Sequence, residues 1–317
     1  MSELITDIKS LEIETLKNLK NSKAQNTLRA YQADFKDFSS FCAKNSFSSL
    51  PTQPKIVAFY ITNLSKSAKF STLKRRIASI SVIHKLKGHY LDTKHPIIIE
   101  NLMGIKRIIG SMQIGKKPIL ISHLKSIINV IDESKMDDIK KSRDKTIILV
   151  GFGGGFRRTE LISIDHDDLE FVPEGLKITI RKSKTDQFGE GMIKGLPYFT
   201  NEKYCPVVNL KKWLEISKIN TGPIFRKFNK GSSLSDKRLT DQSVVLLMKE
   251  YLNLAGIENK NFAGHSLRSG FATAAAASGA DERSIMDMTG HKTTQMVRRY
   301  IKEANIFKNN ALNKIKI

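Results

Sequence analysis

Apolar residues recur at helical spacing along the first third of the chain and predict a set of short helices. Residues 2–20 carry seven apolar positions in such a pattern, and two interpretations fit them: an additional N-terminal helix, or a tail over residues 1–21. From Ser22 the pattern is sharper, and either Ser22 or Asn26 has the side chain expected of a helix N-cap. The apolar positions of this helix are Leu28, Tyr31, Phe35, Phe38 and Phe41.

Three further helices are predicted before residue 113. Prolines open the first of them, LPTQPKIVAFYITNLS, because a proline is tolerated in the first turn of a helix. Ser71 or Thr72 is the expected N-cap of the next, FSTLKRRIASISVIHKLKG, and the last covers roughly residues 97–111. The pattern predicts a small all-helical domain over residues 22–113. The proline-led helix is expected to place Ile56, Phe59, Tyr60 and Leu64 in its core.

The segment IGKKPI separates the two halves of the chain, and its glycine, lysines and proline predict a linker over residues 114–118. A second domain is expected over residues 119–317. It begins with helices over residues 119–133 and 143–150 and returns to helices after Pro206.

Strand patterns lie in the middle of this second domain. LISIDHDDLEF (161–171) and LKITI (176–180) are predicted as strands, and Gly189 and Gly191 turn the chain back into MIKGLPYF. The expected fold class is therefore mainly α with a small antiparallel β-sheet (α+β), in two domains.

Charge is the unusual feature of the composition. The 317 residues carry a formal net charge of +22, although 40% hydrophobic and 26% charged residues are ordinary for a globular protein. Such an excess favours a polyanion, either nucleic acid or an anionic membrane surface. No apolar run approaches the roughly 20 residues of a membrane span, so nucleic acid is the expected partner and no membrane is expected.

Cysteine usage and the N-terminus indicate an intracellular protein. Cys42 and Cys205 are far apart and make neither a disulfide framework nor a metal site. The segment MSELITDIKSLE is acidic and mixed and does not resemble a signal peptide. We expect a cytoplasmic, DNA-associated protein.

Two patterns suggest cofactor chemistry, and neither is favoured. The run GFGGGF lacks the Gly-Lys-Ser/Thr of a phosphate loop, so its glycines are interpreted as sites of close helix packing. The acidic group Asp165, Asp167, Asp168 and Glu170 could suggest a two-metal nuclease, but its alternation fits turn or surface positions better. No cofactor and no metal are expected.

The stretch HSLRSGFATAAAASGADERSIMDMTGHKTTQMVRRY carries the candidate chemistry. His265 and Arg268 lie three residues apart, so one helical turn would place them on the same face. An alanine-rich helix follows, with Gly279 as its expected αL cap, then a short helix up to Thr289. A buried helix alone would account for the alanines but not for the histidines, arginine and tyrosine at its ends.

The motifs GFRRTEL, SKTDQ, HSLRSGFAT, TGHK and VRRYI, in this order, resemble those of the tyrosine recombinases, which include phage-type integrases and chromosome-dimer resolvases. The resemblance covers nearly the whole chain. It implies a helical core-binding domain and a catalytic domain that together clamp a DNA duplex. The catalytic residues that it implies are Arg157, Lys184, His265, Arg268, His291 and Tyr300.

Metal-free phosphodiester transfer explains why these residue types belong together. Arginines suit the charge of a phosphorane-like transition state, so Arg157 and Arg268 are expected to bind its oxygens, with Arg157 preferred over Arg158. Tyr300 is the expected nucleophile, and its phenol, with an ordinary pKa near 10, needs nearby cations and a base. The remaining roles are assigned by the resemblance.

His265 is expected to act as proton acceptor or hydrogen-bond partner, and His291 to bind a non-bridging oxygen. Lys184 would be the general acid that protonates the departing 5′ hydroxyl, and Glu160 would support the site without touching DNA. The product would be a 3′-phosphotyrosyl link, which requires neither ATP nor metal. Three alternatives stay open: a catalytically silent DNA-binding protein of the same fold, a metal-dependent nuclease or transposase, and relaxation of the type IB topoisomerase kind.

DNA contacts are expected at basic clusters in both halves. In the first domain Lys74, Arg75 and Arg76 are candidates for phosphate contact, although charged helix faces are often merely solvated. Lys116 and Lys117 in the linker are further candidates. Paired half-sites on double-stranded DNA and a tetrameric synapse are expected. The C-terminal tail carries apolar positions at helical spacing, and this predicted helix either covers its own domain or is exchanged between subunits.

Overall fold

A computed structural model describes residues 8–21, 24–112, 115–181, 191–231, 233–307 and 310–315. The chain forms two compact units, Met1–Ile114 and Gly115–Ile317. The fold class is mainly α with small antiparallel sheets, as the sequence predicts. Among the described residues, no helix is both long and apolar enough to span a bilayer.

The first unit is all helical. Its core is formed where apolar positions at helical spacing meet, around Phe38, Tyr60 and Ile80, which are almost fully buried. Pro54 occupies the first turn of its helix, as expected. The helices are α1 (Ile8–Asn21), α2 (Gln25–Lys44), α3 (Pro54–Leu64), α4 (Phe70–Leu86) and α5 (Pro96–Ile109).

Three predictions for the first unit are wrong. Phe59 is 43% exposed, because the buried face of α3 is formed by Val57, Ala58, Tyr60 and Ile61. Its ring lies 6.3 Å from that of Phe47, centroid to centroid. Helix α4 begins at Phe70, with Lys69 in extended backbone as its N-cap, so Ser71 and Thr72 lie inside the first turn. The expected N-cap of α2 is also displaced, since Ala24 precedes that helix and Asn26 lies inside it, whereas Ser22 falls outside the described residues.

The second unit surrounds a larger core with helices and two small sheets. Its helices are α6 (Ile121–Glu133), α7 (Asp138–Gly153), α8 (Arg158–Ser163), α9 (Pro206–Ser217), α10 (Asp241–Leu254), α11 (Ser266–Ala277), α12 (Glu282–Thr289) and α13 (Thr294–Ala304). Its strands are β1 (Leu169–Val172), β2 (Gly175–Ile180), β3 (Met192–Pro197), β4 (Arg226–Phe228) and β5 (Leu234–Arg238).

The predicted hairpin is present as part of a three-stranded antiparallel sheet of order β1-β2-β3. In its register Ile178 lies opposite both Leu169 and Lys194. The antiparallel pair β4 and β5 forms a separate sheet that the sequence pattern did not predict. Gly189, expected in the turn before β3, lies outside the described residues.

Two segments of the second unit differ from prediction. Residues 161–171 were expected as one strand, but Arg158–Ser163 is a short helix and only Leu169–Val172 is a strand. The helix forms because the Glu160 carboxylate accepts the Arg157 backbone N–H at its first turn. The C-terminal tail is not one helix within the described residues, because α13 ends at Ala304 and only a 3-10 turn follows, at Ala311–Lys314.

Residues 115–119 lie along the first turn of α11. The Lys117 N–H donates to the Asn261 carbonyl at 2.8 Å, and the Ile119 N–H donates to the Ser266 carbonyl at 2.9 Å. A Cβ on Gly270 would lie 2.1 Å from the Ile119 carbonyl oxygen, so only glycine permits this close approach. The segment predicted as a linker is thus hydrogen-bonded to the second unit.

A buried histidine makes the first unit sensitive to acid. His84 is fully buried on α4, where Nδ1 donates to the Ile80 carbonyl at 2.8 Å and Nε2 accepts the Thr52 N–H at 3.2 Å. This pairing requires a neutral ring, and burial lowers the pKa of His84 below its usual 6.5.

We expect acid to destabilise the wild-type protein more than the His84→Gln variant. The unfolded histidine takes up a proton near its ordinary pKa and the folded one only at lower pH, so stability is lost as the pH falls below about 6.5. Urea unfolding of both proteins at a series of pH values measures this, with a difference in slope of at most about 1.4 kcal/mol per pH unit. Parallel pH dependences would contradict the assignment.

Candidate active site

A tight turn before α8 holds the first arginine of the site. Arg157 is the N-cap of α8, in extended backbone, and its side chain is almost buried. The buried Glu160 carboxylate accepts the Arg157 backbone N–H at 2.9 Å and pairs with its guanidinium. Arg157 Nη2 lies 3.4 Å from the Gly290 carbonyl oxygen. Glu160 thereby fixes both the backbone and the side chain of Arg157.

The second arginine comes from the first turn of α11. Arg268 is 5% exposed, and its Nη1 donates to the Gly155 carbonyl at 3.1 Å. Its Nη2 is buried and has no hydrogen-bond acceptor among the described residues. Burial, and next the charge of Arg157, lower the pKa of Arg268 to about 10. The guanidinium still carries its charge at neutral pH, and its Nη2 nitrogen is available to donate to an anion.

Helices α12 and α13 add a histidine and a tyrosine. Gly290 ends α12 in the left-handed region, with φ 62°, which turns the chain so that His291 lies beside Tyr300. The two ring centroids are 6.3 Å apart and the rings are tilted by 39°. Burial first, then the charges of Arg268 and Arg157, lower the pKa of His291 to about 4. His291 is therefore neutral near pH 7.

His265 and Tyr300 line an open cleft of about 900 Å³. His265 immediately precedes α11, so it lies one turn from Arg268, as its spacing predicts. Lys116 and Lys117 lie on the same cleft, both exposed, and Lys116 Nζ donates to the Lys260 carbonyl at 2.8 Å. The cleft combines a phenol with basic side chains.

Arg158 borders the same cleft as His265 and Tyr300, but its guanidinium pairs with α10. Its guanidinium lies 3.5 Å from the Asp241 carboxylate and contacts Gln242 on α10. The structure thus brings Arg157, Glu160, His265, Arg268, His291 and Tyr300 into one region of the second unit, whereas Lys184 lies outside the described residues.

The basic candidates of the first unit differ in exposure and in whether they pair with an acidic residue. Asp34 on α2 is buried and accepts from Ser79 at 2.6 Å, from Arg75, and in an ion pair from Arg76 at 3.0 Å. Lys74 is exposed, whereas the Arg76 side chain is only 18% exposed. Arg75 and Arg76 therefore already pair with Asp34 between α2 and α4.

Two members of the acidic group after α8 are paired with arginines. Asp168 is buried and accepts from Arg181 at 2.6 Å, and Asp165 pairs with Arg238. Over the ranges that the structure describes, no cluster of three or more His, Cys, Asp or Glu side chains could hold a metal ion.

Lys194 was given no role from the sequence, yet it is buried close to Arg157, Arg268 and Glu160. It is 1% exposed on β3, and its Nζ donates to the Gly154 carbonyl at 2.9 Å. Nζ also lies 4.0 Å from Glu160 and 4.3 Å from the Phe156 ring centroid. Burial lowers its pKa to about 7, with Glu160 opposing this and Arg268 contributing to it. Strand alternation, which puts Lys194 on the same face as Leu196, was the available signal.

We expect the stability of the wild-type protein to rise between about pH 7 and about pH 9 relative to that of Lys194→Met. The unfolded lysine keeps its proton up to about pH 10.5 and the folded one only to about pH 7, so unfolding takes up a proton in this window and lower pH favours unfolding. Urea unfolding of both proteins at the two pH values tests this. Equal changes in stability would show that Lys194 is charged in the folded protein.

Comparisons with known proteins show which family the chain belongs to. Residues 121–305 match the model of the phage integrase family. An integrase/recombinase xerD homologue of Selenomonas ruminantium is 42% identical over 96% of this chain and 89% of its own length. The tyrosine recombinase XerD of Staphylococcus haemolyticus is 25% identical over 86% of this chain and 87% of its own length.

Solved structures show the same fold. A lambda integrase dimer bound to a COC′ core site superposes with a TM-score of 0.63 at 15% identity, covering 97% of this chain and 98% of that one. The XerH site-specific recombinase bound to a palindromic difH substrate gives a TM-score of 0.61 at 17% identity, covering 82% of this chain and 73% of that one. The family match and the Selenomonas relative together confirm the predicted resemblance. The chain belongs to the phage integrase family and is an enzyme of the tyrosine-type site-specific recombinase class.

Proposed function

We propose that this recombinase cuts and rejoins DNA through a 3′-phosphotyrosyl intermediate, with Tyr300 as the nucleophile. The observation that carries the proposal is the buried Nη2 of Arg268, which has no acceptor among the described residues. A buried donor left without an acceptor costs about 1–3 kcal/mol. A phosphate oxygen beside Tyr300 would accept this hydrogen bond and account for that cost.

In the proposed reaction the Tyr300 hydroxyl oxygen attacks the scissile phosphorus, and the bond from phosphorus to the 5′ oxygen breaks. Arg157 and Arg268 bind the oxygens on which negative charge develops, because a planar guanidinium can donate to two of them at once. His265 acts as a hydrogen-bond partner or proton acceptor, and His291 binds a non-bridging oxygen. Glu160 holds Arg157 in place.

Lys184 is proposed to protonate the departing 5′ oxygen. The phosphotyrosyl bond keeps the free energy of the phosphodiester, so rejoining by attack of a 5′ hydroxyl needs no ATP. Charge stabilisation by the two arginines is proposed to replace a metal ion. Attack by the 5′ hydroxyl of another strand, rather than the original one, gives recombination.

The proposed substrate is double-stranded DNA with paired half-sites. The net charge of +22 and the lysines along the cleft support a polyanionic partner, and the lambda integrase and XerH structures described above hold DNA. Recombining two duplexes breaks four strands, and each chain supplies one Tyr300, so we propose four chains in the synapse. A DNA-associated, cytoplasmic location goes with this proposal.

Subunit exchange through the C-terminal segment belongs to the same proposal. Phe307 is 82% exposed and Leu312 is 66% exposed, so these apolar side chains are not covered by their own unit. Large exposed apolar side chains next to a proposed nucleophile are suited to contact with a second subunit.

Tyr300→Phe should form no covalent DNA adduct while binding DNA as tightly as the wild type, because only the attacking oxygen is removed. The DNA is selected by the wild-type protein from a pool of random-sequence duplexes. Incubation in EDTA followed by detergent and electrophoresis reveals the adduct. Tyr198→Phe, which removes a phenol elsewhere in the second unit, is the matched control and should retain it. An adduct with Tyr300→Phe would assign the nucleophile elsewhere, and one that forms only without EDTA would require a metal.

Lys74→Ala and Arg76→Ala should separate DNA contact from structural pairing. We expect Lys74→Ala to weaken DNA binding, to reduce the slope of log affinity against log salt by about 1, and to leave the melting temperature unchanged. Arg76→Ala should lower the melting temperature, since it leaves the buried Asp34 carboxylate with fewer partners. An Arg76→Ala variant with normal melting and a reduced salt slope would instead make Arg76 a phosphate contact.

A further inference from the structure

The turn between α7 and α8 receives a hydrogen bond from each of two buried cations. Residues 154–157 of this turn are all buried. Lys194 Nζ, from β3, donates to the Gly154 carbonyl at 2.9 Å. Arg268 Nη1, from α11, donates to the next carbonyl along the chain, that of Gly155, at 3.1 Å. Arg157 ends the same turn, so the shape of the turn affects the position of both arginines of the site.

The side-chain nitrogen of Lys194 faces three electron-rich groups. Besides the Gly154 carbonyl, it lies 4.3 Å from the centroid of the buried Phe156 ring. It also lies 4.0 Å from Glu160 Oε2, the oxygen that accepts the Arg157 backbone N–H. An ammonium is attracted to a ring face and to a carboxylate, whereas a neutral amine gains little from either. The charged form of Lys194 therefore holds the turn and Glu160 together more firmly than the neutral form does.

The surroundings of Lys194 oppose its charge in the free protein. The titratable groups that act on it are Glu160 on α8, Arg157 at the N-cap of α8 and Arg268 on α11, and Lys194 itself acts on His291 after α12. Burial and the two arginines favour the neutral amine, and Glu160 favours the ammonium. A phosphate bound by the two arginines would offset their charge. Anion binding would thus favour the ammonium of Lys194.

We propose that Lys194 is a positioning residue for strand cleavage, whose charged form holds residues 154–157 and Glu160 in the arrangement that keeps Arg157 and Arg268 on the phosphate. The inference rests on the proposed function, in which these two arginines bind the scissile phosphate. Lys194 takes one proton from solvent as DNA binds and returns it when DNA leaves. It neither attacks phosphorus nor protonates the 5′ oxygen, so the bonds made and broken are those of the proposed reaction.

Stability alone does not explain a lysine at this position. Lys194 shares its strand face with the buried Leu196, and an apolar side chain there would avoid the cost of burying an amine. Lys194→Met keeps a long side chain but removes the charge and the donor. We therefore expect this variant to unfold at the same or a higher urea concentration near neutral pH. A loss of activity without a loss of stability would separate positioning from folding.

Adduct formation in a single turnover, on DNA selected by the wild-type protein, tests the positioning role. At saturating DNA, Lys194→Met should form the adduct roughly 10²-fold more slowly, as expected when reacting groups are slightly misplaced. The Kd for DNA should change little, because many other phosphate contacts contribute to binding. Lys177→Met is the matched control, since Lys177 is an exposed lysine of the same sheet that pairs with Glu170, and it should match the wild type. A wild-type rate for Lys194→Met, or a rate lost only in proportion to the folded fraction, would overturn the proposal.

Proton uptake on DNA binding tests the charge of Lys194 directly. Calorimetry at about pH 8, in buffers of different ionisation enthalpy, counts the protons taken up, and a Tyr300→Phe background prevents strand cleavage. The protein with Lys194 should take up more protons than the protein with Lys194→Met, by up to about one, whereas Lys177→Met should make no difference. Equal uptake with and without Lys194 would refute its role. If the wild type forms no adduct, the proposed nucleophile is wrong, and the difference in proton uptake still decides whether Lys194 responds to bound DNA.

Discussion

The buried carboxylate of Glu160 is the interaction on which the second unit's charged interior depends. Arg157, Arg268 and Lys194 bring positive charge into nearly water-free surroundings, where an unpaired charge is costly. Glu160 receives the backbone N–H and the guanidinium of Arg157, and it lies 4.0 Å from Lys194. A single carboxylate does not neutralise three cations, so a net positive charge remains. That excess repels protons from the site and attracts an anion to it.

The excess of positive charge contributes to the lowered pKa values of the groups in the site. The pKa values of Arg268, His291 and Lys194 are all lowered, to about 10, about 4 and about 7, first by burial and then by nearby positive charge. The charge of Arg157 acts on all three groups, and that of Arg268 acts on His291 and Lys194. A phosphate placed among them would reverse the electrostatic part of each shift. By linkage, anion binding is therefore coupled to proton uptake at His291 and Lys194, the groups whose lowered pKa values lie at or below neutral pH. In the free protein the same positive charge that favours anion binding lowers the affinity of these groups for protons.

Local patterns in the sequence predicted much of this structure. Apolar spacing gave most of the helices, and the motifs gave Arg157, His265, Arg268, His291 and Tyr300 as candidates. What could not be predicted depends on partners distant in sequence or on elements too short to show a period. Asp34 pairs with arginines 41 and 42 residues away, and no local pattern in the sequence predicts this pairing. The motif GFRRTEL predicts a helix that starts at Arg157. Helix α8 has only six residues, fewer than two turns, so the apolar positions from residue 161 onward were indistinguishable from a strand.

The sequence did not identify Lys194 as part of the site, because a lysine is rarely expected to be buried. Lys194 shares its strand face with Leu196, so alternation alone would have placed it inside. A lysine is almost never fully buried without a partner, and its partners, the Gly154 carbonyl and Glu160, lie at least 34 residues away along the chain. Only the three-dimensional structure shows that these groups meet.

The close approach of Ile119 to Gly270 has a mechanical consequence. The chain enters the second unit along residues 115–119, which are hydrogen-bonded to Asn261 and Ser266 and pressed against the backbone of α11. At Gly270 no side chain separates the backbone of Ile119 from α11, the helix that carries Arg268. Tension along the entering chain is therefore applied first to the opening turn of α11. A pull on residues 115–119 would therefore act directly on the helical turn that carries Arg268, the arginine proposed to bind phosphate.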